Sequence, residues 1–173
     1  MKLTKEQLRE MMKLQSEMDL IALKNNNIDV NTDLTDEKYI ALKTELHEFI
    51  NEIESFKFWK KNRGKENVLE EGIDTIHFIL SMMLDYEYNI QEDLEITEKQ
   101  LEHIENKSIN ELYIMTDALM VDTYMQCTWK EMLTSIFIGV LLMLSKCGFT
   151  TDDIYAEYLR KNQINKERQA KNY

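Results

Sequence analysis

Two pairs of acidic residues lie beside apolar segments of this 173-residue sequence. Glu45 and Glu48 are three residues apart, and Glu71 and Asp74 repeat that spacing. On a helix the spacing puts both side chains on one face, so each pair can offer two oxygen ligands to a cation. A set made of carboxylates alone selects a hard ion, Mg²⁺ or Mn²⁺. The first hypothesis is therefore a metal site built from these acids.

The same acids also fit a set of salt bridges or, less well, a di-iron centre. The cations that follow the first pair, Lys57, Lys60 and Arg63, could neutralise them, because an acid near a core is costly unless it is paired. A di-iron centre would need two Glu-x-x-His motifs. None of the three histidines has a glutamate three positions before it, so the di-iron hypothesis is weak. The metal and salt-bridge hypotheses both stay open on the residues alone.

Positive charge is concentrated in two short segments, 57–65 and 160–171, which hold ten of the 21 lysines and arginines. In the second segment Lys161, Asn165 and Arg168 follow each other at helical spacing and form one face of donors. Such a face suits phosphate oxygens, although cations near a helix C-terminus can also simply complement the helix dipole. With only four scattered glycines there is no glycine-rich phosphate loop. A polyphosphate would have to be held through the metal and long side chains.

The elements that carry these residues are predicted to be helices. The chain has no proline and few glycines, and residues that favour helices are abundant. The sequence predicts an all-α multi-helix bundle formed by a single domain, residues 1–173. Apolar spacing and capping residues predict helices at about 5–24, 36–60, 67–88, 109–126, 129–147 and 151–170, with a short one near 96–105. One apolar stripe is predicted on the second helix, from Tyr39 through Leu42, Leu46, Phe49 and Ile53 to Phe56.

Composition excludes several classes of protein. A net charge of −11 argues against a nucleic-acid partner, because phosphate neutralisation needs a broad basic surface. No segment has the apolar length of a signal peptide core or a membrane span. Two cysteines cannot form a disulfide framework, and a cytoplasmic location is expected. The apolar surface of the 67–88 and 129–147 helices exceeds what a small bundle readily covers, which predicts a homodimer.

Several segments of the chain resemble a known family. The segments are ELHEFINE at 45–52, SFKFWKK at 55–61, EEGIDTIHFILS at 70–81 and YLRKNQINKERQ at 158–169, preceded by Leu14, Gln15 and Asp19. In this order they resemble the dimeric dUTPases of phage and bacterial type. Those enzymes belong to the all-α nucleotide pyrophosphatase superfamily that includes the MazG proteins. The resemblance extends from about residue 8 to residue 173.

The resemblance implies hydrolysis of dUTP, with dUDP as a second substrate, to dUMP. It implies two or more Mg²⁺ ions, for which Mn²⁺ can substitute. Glu48, Glu71 and Asp74 would be metal ligands, and Glu45 a ligand or the group that deprotonates the attacking water. The residues implied in substrate binding are Lys161, Asn165, Arg168, Lys57 and Lys60 for the phosphates, Gln15 and Trp59 for the base, His77 for the sugar, and Asp19, which stands where an amide is expected.

Other functions remain open on the sequence alone. A MazG-like or dCTP-type pyrophosphatase would act on other bases, and a helical binding or regulatory protein could retain the nucleotide site without turnover. A purely structural bundle would respond to neither nucleotide nor Mg²⁺. Phage-associated members of the family also contact repressor proteins, so the resemblance implies a repressor as a further partner.

Overall fold

A computed structural model describes residues 3–86 and 104–171 of the chain. Within these ranges the protein is helical and contains no strand, which confirms the all-α prediction. The short helix expected near 96–105 lies outside the described residues except for residues 104 and 105, which are helical. Six helices lie wholly within the described residues: α1 (Lys5–Asn25), α2 (Thr35–Ile53), α3 (Val68–Asp85), α4 (Ile109–Gln126), α5 (Trp129–Lys146) and α6 (Thr151–Ala170).

Capping boxes begin three of these helices. Thr4, Ser108 and Thr150 each accept a hydrogen bond from the backbone of the third helical residue, whose side chain bonds back to the cap. These bonds satisfy backbone N–H groups that have no partner inside the helix. Asn67 and Thr128 precede α3 and α5 without a side-chain cap bond.

Helix α3 is central to the bundle and packs against α1, α2, α5 and α6. Its apolar side chains are buried nearly all round, as the almost unbroken apolar sequence of residues 76–84 predicts. Gly72 lies where α3 crosses α5 and α2. A methyl group there would come 2.7 Å from Leu144 Cδ2 and 3.1 Å from Phe49 Cε2. The absent side chain therefore lets α3 approach its neighbours closely.

Helix α2 is shorter than the sequence predicts. It ends at Ile53 rather than near residue 60, because Glu54 adopts a left-handed conformation (φ 57°) and stops the helix. The carboxylate of Glu54 bonds to Lys57 and Lys60, which folds the following chain back on the helix end. Phe56, expected on the apolar stripe, lies in this segment and is exposed.

The homodimer is predicted from uncovered apolar surface on the third and fifth helices, and the position predicted for that surface is wrong. Most apolar residues of α3 and α5 are buried within the single chain, and Ile136, Val140 and Met143 are fully buried. Uncovered apolar side chains instead lie on α4, where Ile114, Val121 and Met125 are exposed.

Among the described residues no single helix has the length and apolar character to cross a membrane. One pair, Met132–Lys146 with Thr151–Ala170, meets those criteria only when both are taken together, and the two are bent by 110°.

Candidate active site

Three carboxylates from two adjacent helices form a cluster. Glu45 lies on α2, and Glu71 and Asp74 lie one turn apart on α3. One oxygen from each approaches the other two within 4.8 Å. Glu48, one turn after Glu45, is exposed and is not part of this trio, although its charge acts on Glu45 and Glu71. The packing of α2 on α3 thus brings together residues that are far apart in sequence.

The negatively charged form of the cluster is destabilised, and the pKa values of its acids are raised. Burial, with repulsion from Asp74, Glu48 and Glu71, raises the pKa of Glu45 from 4.5 to about 7. Burial is also the main cause that raises the pKa of Glu71 and of Asp74. Carboxylates that repel each other in a partly buried site bind protons or a cation more tightly than isolated acids do. The donor set is one that fits a hard divalent ion.

A buried lysine provides a positive charge at this cluster. The Nζ atom of Lys161, on α6, lies 2.8 Å from Asp74 Oδ2 and 2.8 Å from Glu70 Oε1. Burial alone would lower the pKa of Lys161, but the hydrogen bonds with Asp74 and Glu70 outweigh it and raise the pKa. Salt-bridge neutralisation therefore does occur, but Lys161 supplies it rather than Lys57, Lys60 or Arg63. The sequence alone did not identify Glu70, although it opens the same Glu-Glu-x-x-Asp segment.

The other two donors predicted on α6 follow Lys161 along the helix. Asn165 and Arg168 follow at one and two turns. The charge of Arg168 adds to the effect of Lys161 that lowers the pKa of Glu70, and it opposes the rise in the pKa of Asp74, so it lies close enough to act on both acids. Of the three donors predicted on α6, Lys161 therefore contacts the acids of α3, and Arg168 acts on them through its charge.

A second, buried group of polar side chains lies between α1, α3 and α6. Gln15 Nε2 donates to Asp19 Oδ1 at 2.7 Å, and Gln15 Oε1 lies 2.7 Å from His77 Nδ1. Ser81 donates to the other oxygen of Asp19 at 2.7 Å. The Tyr158 hydroxyl, with one proton, points to Met11 O at 2.9 Å and to Gln15 Oε1 at 3.1 Å. The predicted residues Gln15, Asp19 and His77 thus meet in space.

Ser81 and Tyr158 lie in the family-like segments, but the sequence alone gave no reason to assign them a role. Both are polar residues within otherwise apolar helical faces, which is the signal that could have identified them. The ring of Tyr158 also stacks on His77, with ring centres 4.3 Å apart.

The hydrogen bonds fix which groups this network can offer to a ligand. Burial raises the pKa of Asp19, but its bonds to Ser81 and Gln15 oppose that rise. As a carboxylate Asp19 only accepts, so the Gln15 NH₂ group faces it and one amide N–H remains. Burial lowers the pKa of His77 to about 3, so the ring is neutral and its Nδ1 donates to Gln15. His77 Nε2 is then a buried acceptor without a hydrogen-bond partner in the described part of the chain.

Three predicted substrate-binding residues lie in the segment after α2. Lys57 and Lys60 both bond to Glu54 rather than to the carboxylate cluster. Trp59 is exposed, and its ring packs against Phe56 and Phe58. In the structure this segment is thus organised around Glu54, a residue that the sequence alone does not single out.

The fold and the site together define an all-α protein with a carboxylate cluster and a buried lysine beside it. A family model described as dUTPase matches residues 7–173, nearly the whole chain, and the chain therefore belongs to the dUTPase family. It is a hydrolase that acts on nucleotides, with dUTP diphosphatase activity. This finding confirms the resemblance seen in the sequence. A comparison with curated proteins found no match.

Proposed function

We propose that the protein hydrolyses dUTP, and dUDP as a second substrate, to dUMP in a reaction that depends on Mg²⁺. The observation that supports this most directly is the approach of Glu45, Glu71 and Asp74 within 4.8 Å. These three, with Glu48 at the rim, would hold two or more Mg²⁺ ions, for which Mn²⁺ can substitute. The chemistry that such ions supply is neutralisation of phosphate charge and activation of water.

The protein's own groups would divide the remaining work. Glu45 lies on the opposite helix from Glu71 and Asp74, and it is the carboxylate we assign to accept the proton of the attacking water. Lys161, Asn165 and Arg168 would bind the outer phosphates, because their donors lie along one face beside the acids. Repulsion between substrate phosphates and the acids would otherwise oppose binding.

Base selection is assigned to the network around Gln15. Its single remaining amide N–H can donate to a carbonyl oxygen of uracil but cannot accept from the amino group that cytosine carries at that position. His77 Nε2 adds a buried acceptor for a hydroxyl group of the sugar. A site that leaves polar groups unpaired with the wrong base discriminates strongly. This arrangement favours dUTP over a dCTP-type or MazG-like specificity.

The experiment that tests the proposal is pyrophosphate release from a panel of deoxynucleoside triphosphates with and without Mg²⁺. We expect release from dUTP that stops in EDTA, and near-complete loss of turnover in Glu71→Gln and Asp74→Asn. Asp117→Asn is the matched control, because Asp117 is also a partly buried acid that pairs with a lysine, Lys43, at 2.7 Å. Asp117 lies on α4, outside the carboxylate cluster. Full activity of either site variant would contradict the assignment.

We also propose a homodimer, supported by one face of α4. Ile114, Ala118, Val121 and Met125 follow at i, i+4, i+7 and i+11, the spacing of a helix–helix seam, and all four are exposed. Sedimentation of the wild type as a dimer and of Val121→Glu as a monomer would support this interface. A wild-type monomer at micromolar concentration would contradict it.

Two further expectations remain proposals. A cytoplasmic location is supported by the two cysteines, Cys127 and Cys147, which are both free. A repressor protein as partner stays a prediction that rests on the family resemblance.

A further inference from the structure

Glu54 is a buried carboxylate with both oxygens bound by lysines. Its side chain is 3% exposed, Lys57 Nζ donates to Oε1 at 2.9 Å, and Lys60 Nζ donates to Oε2 at 2.5 Å. These two hydrogen bonds hold the pKa of Glu54 at about 2, despite the burial that acts in the other direction. The residue also adopts a left-handed backbone conformation that glutamate rarely takes. Such a conformation persists only where the surroundings enforce it.

The segment after Glu54 is folded tightly against this carboxylate. The backbone N–H of Lys57 donates to Glu54 O, and that of Lys60 donates to Lys57 O. Arg63 closes the segment by donating to the carbonyl oxygens of Ser55 and Lys60, both at 3.2 Å. The two lysines therefore fix the segment at positions on either side of residues 58 and 59.

Two aromatic side chains project from the fixed segment. Phe58 and Trp59 are 83% and 66% exposed, and their rings meet edge to face at 5.1 Å. Large aromatic side chains that lie together at the surface mark a binding site. Lys65, at the end of the segment, lies close enough to Glu71 for the two charges to interact. The aromatic pair is therefore carried by a segment whose last lysine binds Glu52 at 2.6 Å and acts on Glu71 of the carboxylate cluster through its charge.

We propose that Glu54 is a positioning residue for nucleotide binding: its buried carboxylate clamps Lys57 and Lys60 and thereby holds Phe58 and Trp59 out as a preformed platform for the base. The inference rests on the proposed function, to which the family resemblance adds Trp59 as a residue that lines the base pocket. A flat indole face stacks on a nucleobase, and a platform fixed beforehand loses less conformational freedom on binding. Lys57 and Lys60 act here through Glu54 and do not bind phosphate.

The proposal and the alternative role of the two lysines predict opposite effects of one variant. Glu54→Gln removes the charge that holds Lys57 and Lys60. If the lysines clamp the platform, KM for dUTP rises by about fivefold to tenfold, the cost of ordering two aromatic side chains on binding, while kcat changes less than twofold. If they bind phosphate, freeing them leaves KM unchanged or lowers it, which would overturn the proposal.

Tryptophan fluorescence gives a second readout that a loss of stability alone would not produce. The chain has two tryptophans, and Trp129 is buried, so a change in anisotropy reports on Trp59. We expect lower anisotropy in the folded Glu54→Gln protein and no change in Asp117→Asn, which breaks another acid–lysine pair. Glu54→Asn serves if the glutamine variant does not fold, because asparagine tolerates the left-handed conformation.

Three claims can be tested separately: that Glu54 holds the segment through its lysines (the clamp), that Trp59 binds the base (the platform), and that the protein hydrolyses dUTP. Trp59→Leu should raise KM at least as much as Glu54→Gln; unchanged KM in Trp59→Leu would overturn the platform while leaving dUTP hydrolysis intact. A rise in KM for Trp59→Leu without one for Glu54→Gln would overturn the clamp alone. A wild type that hydrolysed no dUTP would contradict the proposed function, and the anisotropy of Trp59 would still test the clamp.

Discussion

The ammonium group of Lys161 lies 2.8 Å from a carboxylate oxygen of Asp74. The two residues are separated by about half of the chain, and Lys161 is nearly completely buried. Its second contact, with Glu70, keeps the lysine at the edge of the carboxylate cluster. A cation of the protein itself therefore balances part of the charge that Glu45, Glu71 and Asp74 bring together. In the proposed function, this charge becomes available to a phosphate when a metal ion binds the acids.

Replacing Lys161 should destabilise the protein most when no metal is bound. Lys161→Met leaves Asp74 and Glu70 without their partner, and we expect a loss of about 1–3 kcal/mol in the free energy of unfolding in EDTA. Mg²⁺ should restore part of this loss, because the ion replaces the missing positive charge. Urea unfolding with and without Mg²⁺ measures both effects. Equal losses in the two conditions would mean that Lys161 and the ion act at separate places.

Replacing Glu45 should stabilise the metal-free protein while inactivating it. Glu45→Gln removes a carboxylate that its neighbours repel, so the melting temperature in EDTA should rise, whereas kcat should fall by about 10²-fold to 10⁴-fold. The matched variant Glu37→Gln, at the exposed start of α2, should change neither quantity. A lower melting temperature for Glu45→Gln in EDTA would contradict the repulsion inferred from the cluster.

The same residue gives a pH dependence with a definite sign. In the folded metal-free protein the pKa of Glu45 is raised from 4.5 to about 7. The folded state then binds its proton more tightly than the unfolded state does. The stability that this group contributes is therefore present below pH 4.5 and is lost as the pH rises to about 7. Melting curves in EDTA should show a smaller decline over this range for Glu45→Gln than for the wild type.

Base discrimination should depend on Asp19. Asp19→Asn replaces an acceptor with an amide that can donate or accept, so the Gln15 amide is free to turn over and offer its oxygen to a ligand. We expect the ratio of kcat/KM for dUTP to that for dCTP to fall by about tenfold. Ser81→Ala is the control, because it removes the other partner of Asp19 and leaves the carboxylate in place. An unchanged ratio in Asp19→Asn would show that Gln15 does not select the base.

Close packing between α4 and α5 should make Gly139 intolerant of a side chain. A methyl group at Gly139 would overlap the hydroxyl of Thr116, and Gly139→Ala should cost about 1–3 kcal/mol of stability through overpacking. The double variant Gly139→Ala/Thr116→Ala should recover most of the loss, because the space is then available. Chemical unfolding of the two single variants and the double variant measures this coupling. Additive losses would mean that the two residues do not touch.

Some of the site could be predicted from the sequence because it depends on local spacing. Glu71 and Asp74 share a face of α3 because they are three residues apart on a helix, and Lys161 and Arg168 share a face of α6 for the same reason. The capping boxes at Thr4 and Ser108 follow from residue types three positions apart. The family resemblance rests on such short segments as well, and the family comparison confirms it.

The partners of these residues could not be predicted, because they come from different helices. Three basic residues near the acids in sequence were candidates for neutralising them, yet the structure pairs Asp74 with Lys161 and pairs Lys57 and Lys60 with Glu54. The end of α2 was also misplaced. Apolar spacing continues to Phe56, and only the burial of Glu54 with its two lysines explains why the helix stops at Ile53.

The sequence by itself determined that the chain is all-α, which family it belongs to, and which residues share a helical face, since these properties follow from residue type and spacing along one helix. Only the tertiary structure decided that Glu48 is exposed, that the Gln15 amide turns its NH₂ group toward Asp19, and that the exposed apolar face lies on α4 rather than on α3 or α5. The physical reason is that burial, hydrogen-bond partners and charge repulsion depend on how the helices pack. Packing brings together residues from different helices, and their separation in sequence does not predict that contact.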